Sequence, residues 1–218
     1  MSWGLLMLGR RRGNGGEAGE FLSIVDSISR RRGVIERASF LRLLNAVMDI
    51  FSKEPPDTRP RSERGYPGGL VHLRQDIPTV IIPDIHGRVD FIPRVLRQTD
   101  AEGVPFAERL LQGRIQLLCL GDAFHGEARA ARRWQEAFKE FALGYRVHRA
   151  MDEEMGENFA VMETILYLKA RFPSYVHFLK GNHENILNEN ENGNYGFGKF
   201  VNEGEMVKQY VESFMGAD

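Results

Sequence analysis

Apolar positions along the 218-residue chain change their rhythm near residue 70. Before that point Phe40, Leu41, Leu44, Val47, Met48 and Phe51 recur at three- and four-residue spacing, which predicts an amphipathic helix from Ala38 to the stop at Pro55 and Pro56. After it the apolar residues fall into short runs bounded by turn formers, and Thr79 to Pro83, Ile115 to Leu120 and Tyr175 to Leu179 read as buried strands. Between the second and third runs helical spacing returns, first through Trp134, Ala137, Phe138 and Phe141, then through Met162, Ile165, Leu166 and Phe172. Val207, Tyr210, Val211 and Phe214 mark a last helix. Strands alternating with helices predict an α/β fold whose central strands are largely parallel and joined by right-handed crossovers. Gly9 to Glu20 is rich in Gly and Arg without an apolar period and reads as a flexible leader, while Lys53 to Gly69 reads as a linker or surface loop. The expected organisation is a leader, helix and linker over residues 1–75, followed by an α/β segment over residues 76–218. No internal repeat is visible.

Composition changes this picture little. With 42% apolar and 27% charged residues and a formal net charge of -1, the chain has the balance of an ordinary globular protein, and no bias points to nucleic acid or to a membrane as partner. The single cysteine, Cys119, lies in an apolar run and is expected to be a buried strand residue, so no disulfide framework exists and a reducing compartment fits. Met1 to Arg12 places its apolar residues before its arginines, the reverse of a signal peptide, and is too short to span a bilayer. A cytoplasmic location is the resulting expectation. A second basic triplet, Arg30 to Arg32, reads as a solvated charge run, with contact to a phosphate or acidic surface as the alternative.

The chemistry gathers where the strands end. The first strand runs into Pro83-Asp84-Ile85-His86-Gly87, the second into Gly121-Asp122-Ala123-Phe124-His125, and the third into Gly181-Asn182-His183-Glu184. Sites in open α/β sheets form outside the carboxyl ends of strands, so these clusters should converge although 38 residues separate Asp84 from Asp122 and 60 separate Asp122 from Asn182. Capping or turn formation explains a lone Asp or Asn, but not the histidines or the glycine beside each ligand. Carboxylate, imidazole and amide oxygen together suit a pair of divalent ions such as Mn, Fe or Zn.

The three clusters resemble the signature of the calcineurin-like metallophosphoesterases: Asp-x-His, then Gly-Asp-x-x-Asp, then Gly-Asn-His followed by an acid. Met162-Glu163-Thr164-Ile165, Leu168-Lys169, Phe172-Pro173, the run Phe178 to Glu184 and Tyr195-Gly196-Phe197 resemble the serine/threonine phosphoprotein phosphatase branch, over about Val80 to Phe200. The resemblance implies a central β-sandwich flanked by helices, present here in its N-terminal portion behind an N-terminal helical extension. It implies that Asp84 and His86 bind a first metal, that Asp122 bridges two, and that Asn182 binds the second. It further implies that a metal-bound hydroxide attacks phosphorus, with His183 as general acid and Glu184 fixing its orientation.

Departures accompany the matches. His125-Gly126-Glu127 stands where the phosphatase branch has Asp-Arg-Gly, so the usual phosphate-clamping arginine is missing. Arg129, Arg132 or Arg133 could substitute, against an ordinary solvated helix face, and His125 reads as an outer-shell partner or a substrate contact, against a surface histidine. The helical stretch Arg129 to Asn158 is longer than that branch carries. The remaining histidines, His72, His148 and His177, match no family position and read as structural or exposed. No histidine follows His183, whereas the family uses two later histidine motifs, so a C-terminally shortened chain is expected, with a separate C-terminal half as the partner supplying them. The expected activity is hydrolysis of a phosphorylated protein or small phosphate ester, the alternatives being a dinucleoside polyphosphate hydrolase and a non-catalytic remnant acting as a binding module.

Overall fold

The computed structural model describes residues 14–65, 69–190 and 195–216. Helices α1 (Asn14–Ser29) and α2 (Arg37–Lys53) precede strand β1 (Thr79–Ile82). Then come α3 (Phe91–Arg97), α4 (Phe106–Leu111), β2 (Gln116–Cys119), α5 (Ala131–Ala142), α6 (Arg149–Arg171), β3 (Val176–Phe178) and α7 (Glu203–Tyr210). The α/β class and the parallel strands expected from the sequence are present as one three-stranded layer among the described residues, in the order β1-β2-β3. Register aligns Ile82 with Cys119 and Cys119 with Phe178, so all three strands deliver their following loops to one edge.

The start of the chain differs from the expected leader. Residues 14–20 are already helical, while the rest of the leader lies outside the described residues. The reason is packing: Phe21, Val25 and Ile28 form a buried stripe at i, i+4 and i+7, and Glu17 in the first turn pairs with Arg171 at 3.1 Å. Helix α2 matches its expected span, and the Glu36 carboxylate caps it by accepting the Ala38 and Ser39 amides, each at 2.8 Å. Both helices lie against α6, and one apolar core runs through Phe21, Val47, Leu117, Ile165 and Val207.

Helix α6 is buried nearly all round, which fits its position between α1, α2 and α5. The long helical stretch expected from Arg129 onward is interrupted at Gly144 (φ +66°) and Tyr145 (φ +54°), where left-handed backbone cannot continue a helix. The far end of α6 is tied to the far end of α2 by a buried ionic cluster. Lys169 Nζ meets Glu54 Oε1 at 2.5 Å, Arg59 Nε meets Glu54 Oε2 at 2.5 Å, and both cations lie 5.2 Å from the Phe51 ring.

Strand β1 is less buried than its composition suggests, because its successive side chains point to opposite faces of the sheet: Ile82 is buried on one face but Ile81, on the other, is 60% exposed. Cys119 is buried as expected, and burial raises its thiol pKa to about 12. The last helix ends in a single π turn, Val211–Met215, and the Phe214 side chain of the expected stripe lies outside the described part. Among the described residues no helix is long and apolar enough to cross a membrane.

Candidate active site

Two glycines let the loops meet. A Cβ on Gly121 would lie 2.4 Å from the Gly181 amide nitrogen, and one on Gly181 would lie 2.0 Å from Asp122 Oδ1, so the second and third loops touch backbone to backbone. Glu184 clasps them together. Its carboxylate accepts the amides of Gly181 (2.8 Å), Asp122 (2.9 Å) and Ala123 (2.7 Å). Burial raises the Glu184 pKa, and the three amide bonds oppose that rise. The first loop is hung on the second: the Ile85 and His86 amides donate to the Asp122 carbonyl, and the Gly87 amide donates to that of Ala123.

This stitching holds His86 (φ +50°), Asp122 (φ +49°) and His125 (φ +62°) in left-handed backbone, which non-glycine residues adopt only when the surroundings enforce it. The result is one compact donor group. His86, Asp122 and His183 each offer a ligand atom, all within 4.8 Å of one another, although they come from three separate loops. The His86 imidazole and the Asp122 carboxylate of this group suit a borderline or hard divalent cation, with His183 beside them. Asp122 Oδ1 also accepts the His183 amide at 3.0 Å. Asp84 and Asn182, read as ligands from the sequence, stand exposed at the ends of the first and third strands, and Asp84 lies outside that 4.8 Å group.

The surroundings of His183 differ from expectation. Glu184 is committed to backbone amides, and the ring partner of His183 is His125, Nδ1 to Nδ1 at 2.8 Å. His125 is thus neither a surface histidine nor open to substrate; it is buried, and its Nε2 has no hydrogen-bond partner among the described residues. Burial, then the neighbouring His183 and His86, depress its pKa to about 3, so the ring is neutral. Burial also lowers the pKa of His183, against the opposing pull of the Asp122 carboxylate. Of the two ways to share one proton between the Nδ1 atoms, donation by His125 leaves only a bare lone pair at its orphaned Nε2. Donation by His183 would instead strand a buried N–H there, the costlier defect. The preferred arrangement therefore gives neutral His183 its proton on Nε2. Phe197 closes this pair off, its ring centroid 3.8 Å from that of His183 and 4.9 Å from that of His125.

Of the arginines considered as phosphate clamps, Arg129 alone reaches the loops. Its Nη2 donates to the His86 carbonyl at 3.1 Å and its Nη1 meets Glu157 at 2.7 Å, so it props the first loop. Arg133 is bound to Glu154 and to Glu157, and Arg132 is exposed on α5 with no ion pair among the described residues. His177 is buried, His148 pairs with Asp152, and His72 bonds the Asp57 carbonyl, as structural histidines should.

Several residues escaped the sequence reading. Glu154 is fully buried in α6 and accepts the Gly126 amide at 2.5 Å, while Trp134 Nε1 donates to the Gly126 carbonyl at 2.7 Å, which bolts down the turn carrying His125. Glu127 lies 4.0 Å from His86 Nε2 and 2.7 Å from Lys199 Nζ, whose hydrogen bond lowers its pKa. The available signal was the polar series Glu154, Glu157 and Asn158 at i, i+3 and i+4, which shares one face of the helix.

The family model for calcineurin-like phosphoesterases matches residues 77–214, more than half of the chain. No curated protein and no solved structure matches it.

Proposed function

The chain belongs to the calcineurin-like phosphoesterase family, and from that premise we propose that it hydrolyses phosphate monoesters in the manner of a serine/threonine protein phosphatase. The observation that carries this reading is the donor group His86, Asp122 and His183 beside the His125–His183 hydrogen bond. His86 and Asp122, with Asp84 and Asn182 at the adjoining strand ends, would hold two divalent cations of the Mn, Fe or Zn type. Such cations supply Lewis acidity toward the phosphoryl oxygens and lower the pKa of water. Asp122, on the loop after the middle strand, would supply negative charge that offsets cation–cation repulsion.

His183 is assigned the proton transfer. With His125 at its Nδ1, the ring takes up the proton that the attacking water releases and, as the imidazolium, passes its Nε2 proton to the leaving oxygen as the P–O ester bond breaks and water oxygen bonds phosphorus, which returns His183 to its neutral form. Positioning falls to His125 through its hydrogen bond and to Glu184 through the loop amides.

The test is turnover of a chromogenic phosphate ester by metal-loaded protein, with phosphopeptides and a dinucleoside polyphosphate compared as substrates. The expected result is hydrolysis of the monoesters. Asp122→Asn should abolish metal binding and activity together, whereas His183→Asn should retain metal and slow turnover by about 10²- to 10⁴-fold. Equal loss of metal in both variants would contradict the division of roles, and preference for the dinucleotide would overturn the substrate class.

A further inference from the structure

The basic triplet Arg30 to Arg32 takes no part in the site described above, yet it is built into a cleft beside it. Gly33 (φ +82°) turns the chain after α1 so closely over α6 that a Cβ on Gly156 would come within 3.2 Å of the Gly33 carbonyl carbon. Between that turn and the first half of α6 lies a cavity of about 600 Å³, lined by Arg30, Arg31, Arg32, Val89, Arg149 and Glu157 among others. It adjoins the first loop: Val89 follows His86 by three residues, and Glu157 holds the Arg129 that bonds the His86 carbonyl.

The charges lining the cavity do not cancel locally. Glu153 and Glu157 are bound by Arg133 and Arg129, and Asp152 is engaged by His148 and Tyr210. Arg30 pairs with Asp26, and Arg31 with Glu163. Arg32 and Arg149 are exposed and have no ion pair among the described residues, so two guanidinium groups are left over to receive anions. Among the described residues no aromatic ring lines the cavity, which removes the stacking platform a nucleobase would use. The interleaved carboxylates of Asp152, Glu153 and Glu157 would repel a dense run of phosphates, whereas side chains spaced along a peptide can alternate with them.

We propose that this cleft is a subsite for acidic residues flanking the phosphorylated residue of a peptide substrate, with Arg32 and Arg149 as its specificity-determining contacts. The proposal deepens the phosphatase reading and rests on it for the adjacent chemistry. Guanidinium groups pair carboxylates bidentately and in a salt-sensitive way, so the subsite acts through affinity for the peptide and leaves the chemical step alone.

The experiment compares wild type with the double variant Arg32→Glu/Arg149→Glu, both folded by thermal melt. Two readouts are used: anisotropy of a fluorescent unphosphorylated Asp/Glu-rich peptide, and kcat/KM on p-nitrophenyl phosphate and on phosphopeptides with acidic or neutral flanks. Expected are binding that weakens with salt, a rise in peptide Kd of at least about tenfold in the variant, a matching fall in kcat/KM on the acidic phosphopeptide, and unchanged turnover of p-nitrophenyl phosphate. Equal peptide binding by both proteins, or a parallel fall on p-nitrophenyl phosphate, overturns the subsite. Ester turnover without preference for acidic flanks sinks the subsite and leaves the phosphatase reading standing. Peptide binding lost in the variant, with no ester turned over by wild type, does the reverse. Inorganic polyphosphate binding without peptide binding overturns the peptide assignment.

Discussion

Gly181→Ala is the sharpest probe of how the loops are assembled. The new methyl carbon would start 2.0 Å from Asp122 Oδ1 and 2.6 Å from the Asp122 amide nitrogen. To restore ordinary contact near 3.4 Å, the carboxylate oxygen must retreat by about 1.4 Å. That retreat breaks its 3.0 Å bond from the His183 amide and moves the residue assigned to both cations. Overpacking of this kind costs about 1–3 kcal/mol, and losing a hydrogen bond to a charged group adds about 1.5–3 kcal/mol. The melting temperature should therefore fall by about 5–24 °C. Displacement of an active-site group by about 1 Å costs on the order of 10²-fold in rate, so kcat/KM on a phosphate ester should fall at least that far. The control is Gly19→Ala in α1, where nothing lies within 4 Å of the added carbon and a glycine in a helix interior is unfavourable by roughly 0.5–1 kcal/mol. That variant should be as stable as wild type or more so, and fully active. If Gly181→Ala retains metal-induced stabilisation and turns over substrate within about threefold of wild type, the backbone contact does not position Asp122 as argued.

Two further expectations concern the attachment of the N-terminal helices. Lys169→Met removes one of two cations from the buried Glu54 carboxylate and should cost a few kcal/mol, up to about 3–5, read by urea denaturation; a change under about 0.5 kcal/mol would mean that Arg59 alone suffices. His177, buried near Lys169, Glu54 and Arg59, has its pKa depressed to about 4, chiefly by burial. A base depressed in the fold binds fewer protons there than in the unfolded chain, so its stabilising share is present above pH 6.5 and is lost as pH falls toward 4. Thermal melts of wild type should decline over that window, and His177→Gln should flatten part of the decline; identical slopes would refute the assignment.

The strands and their loops were legible because punctuation and chemistry coincide: an apolar run, then glycine, then a hard ligand. Strand ends also direct side chains predictably, so the convergence of His86, Asp122 and His183 followed from topology. Partnerships set by tertiary contact were not legible. Arg31 finds Glu163 across 132 positions and Lys169 finds Glu54 across 115, and nothing local in either sequence announces the other. Helix α1 was missed because its first residues favour coil on their own and become helical only when Phe21, Val25 and Ile28 are covered by α6. The partners of Glu184 were likewise not legible: adjacency in the chain suggested contact with the His183 ring, while the loop geometry turns the carboxylate toward three amides.

His86, Asp122 and His125 each sit in a backbone state that L-residues avoid, at about 1–3 kcal/mol apiece. Glycine at any of these positions would relieve that tension while deleting the side chain the pocket needs. A laboratory selection for heat resistance alone would therefore erode the pocket before it touched the helices, and a hardened, inactive descendant is the outcome such a campaign should guard against.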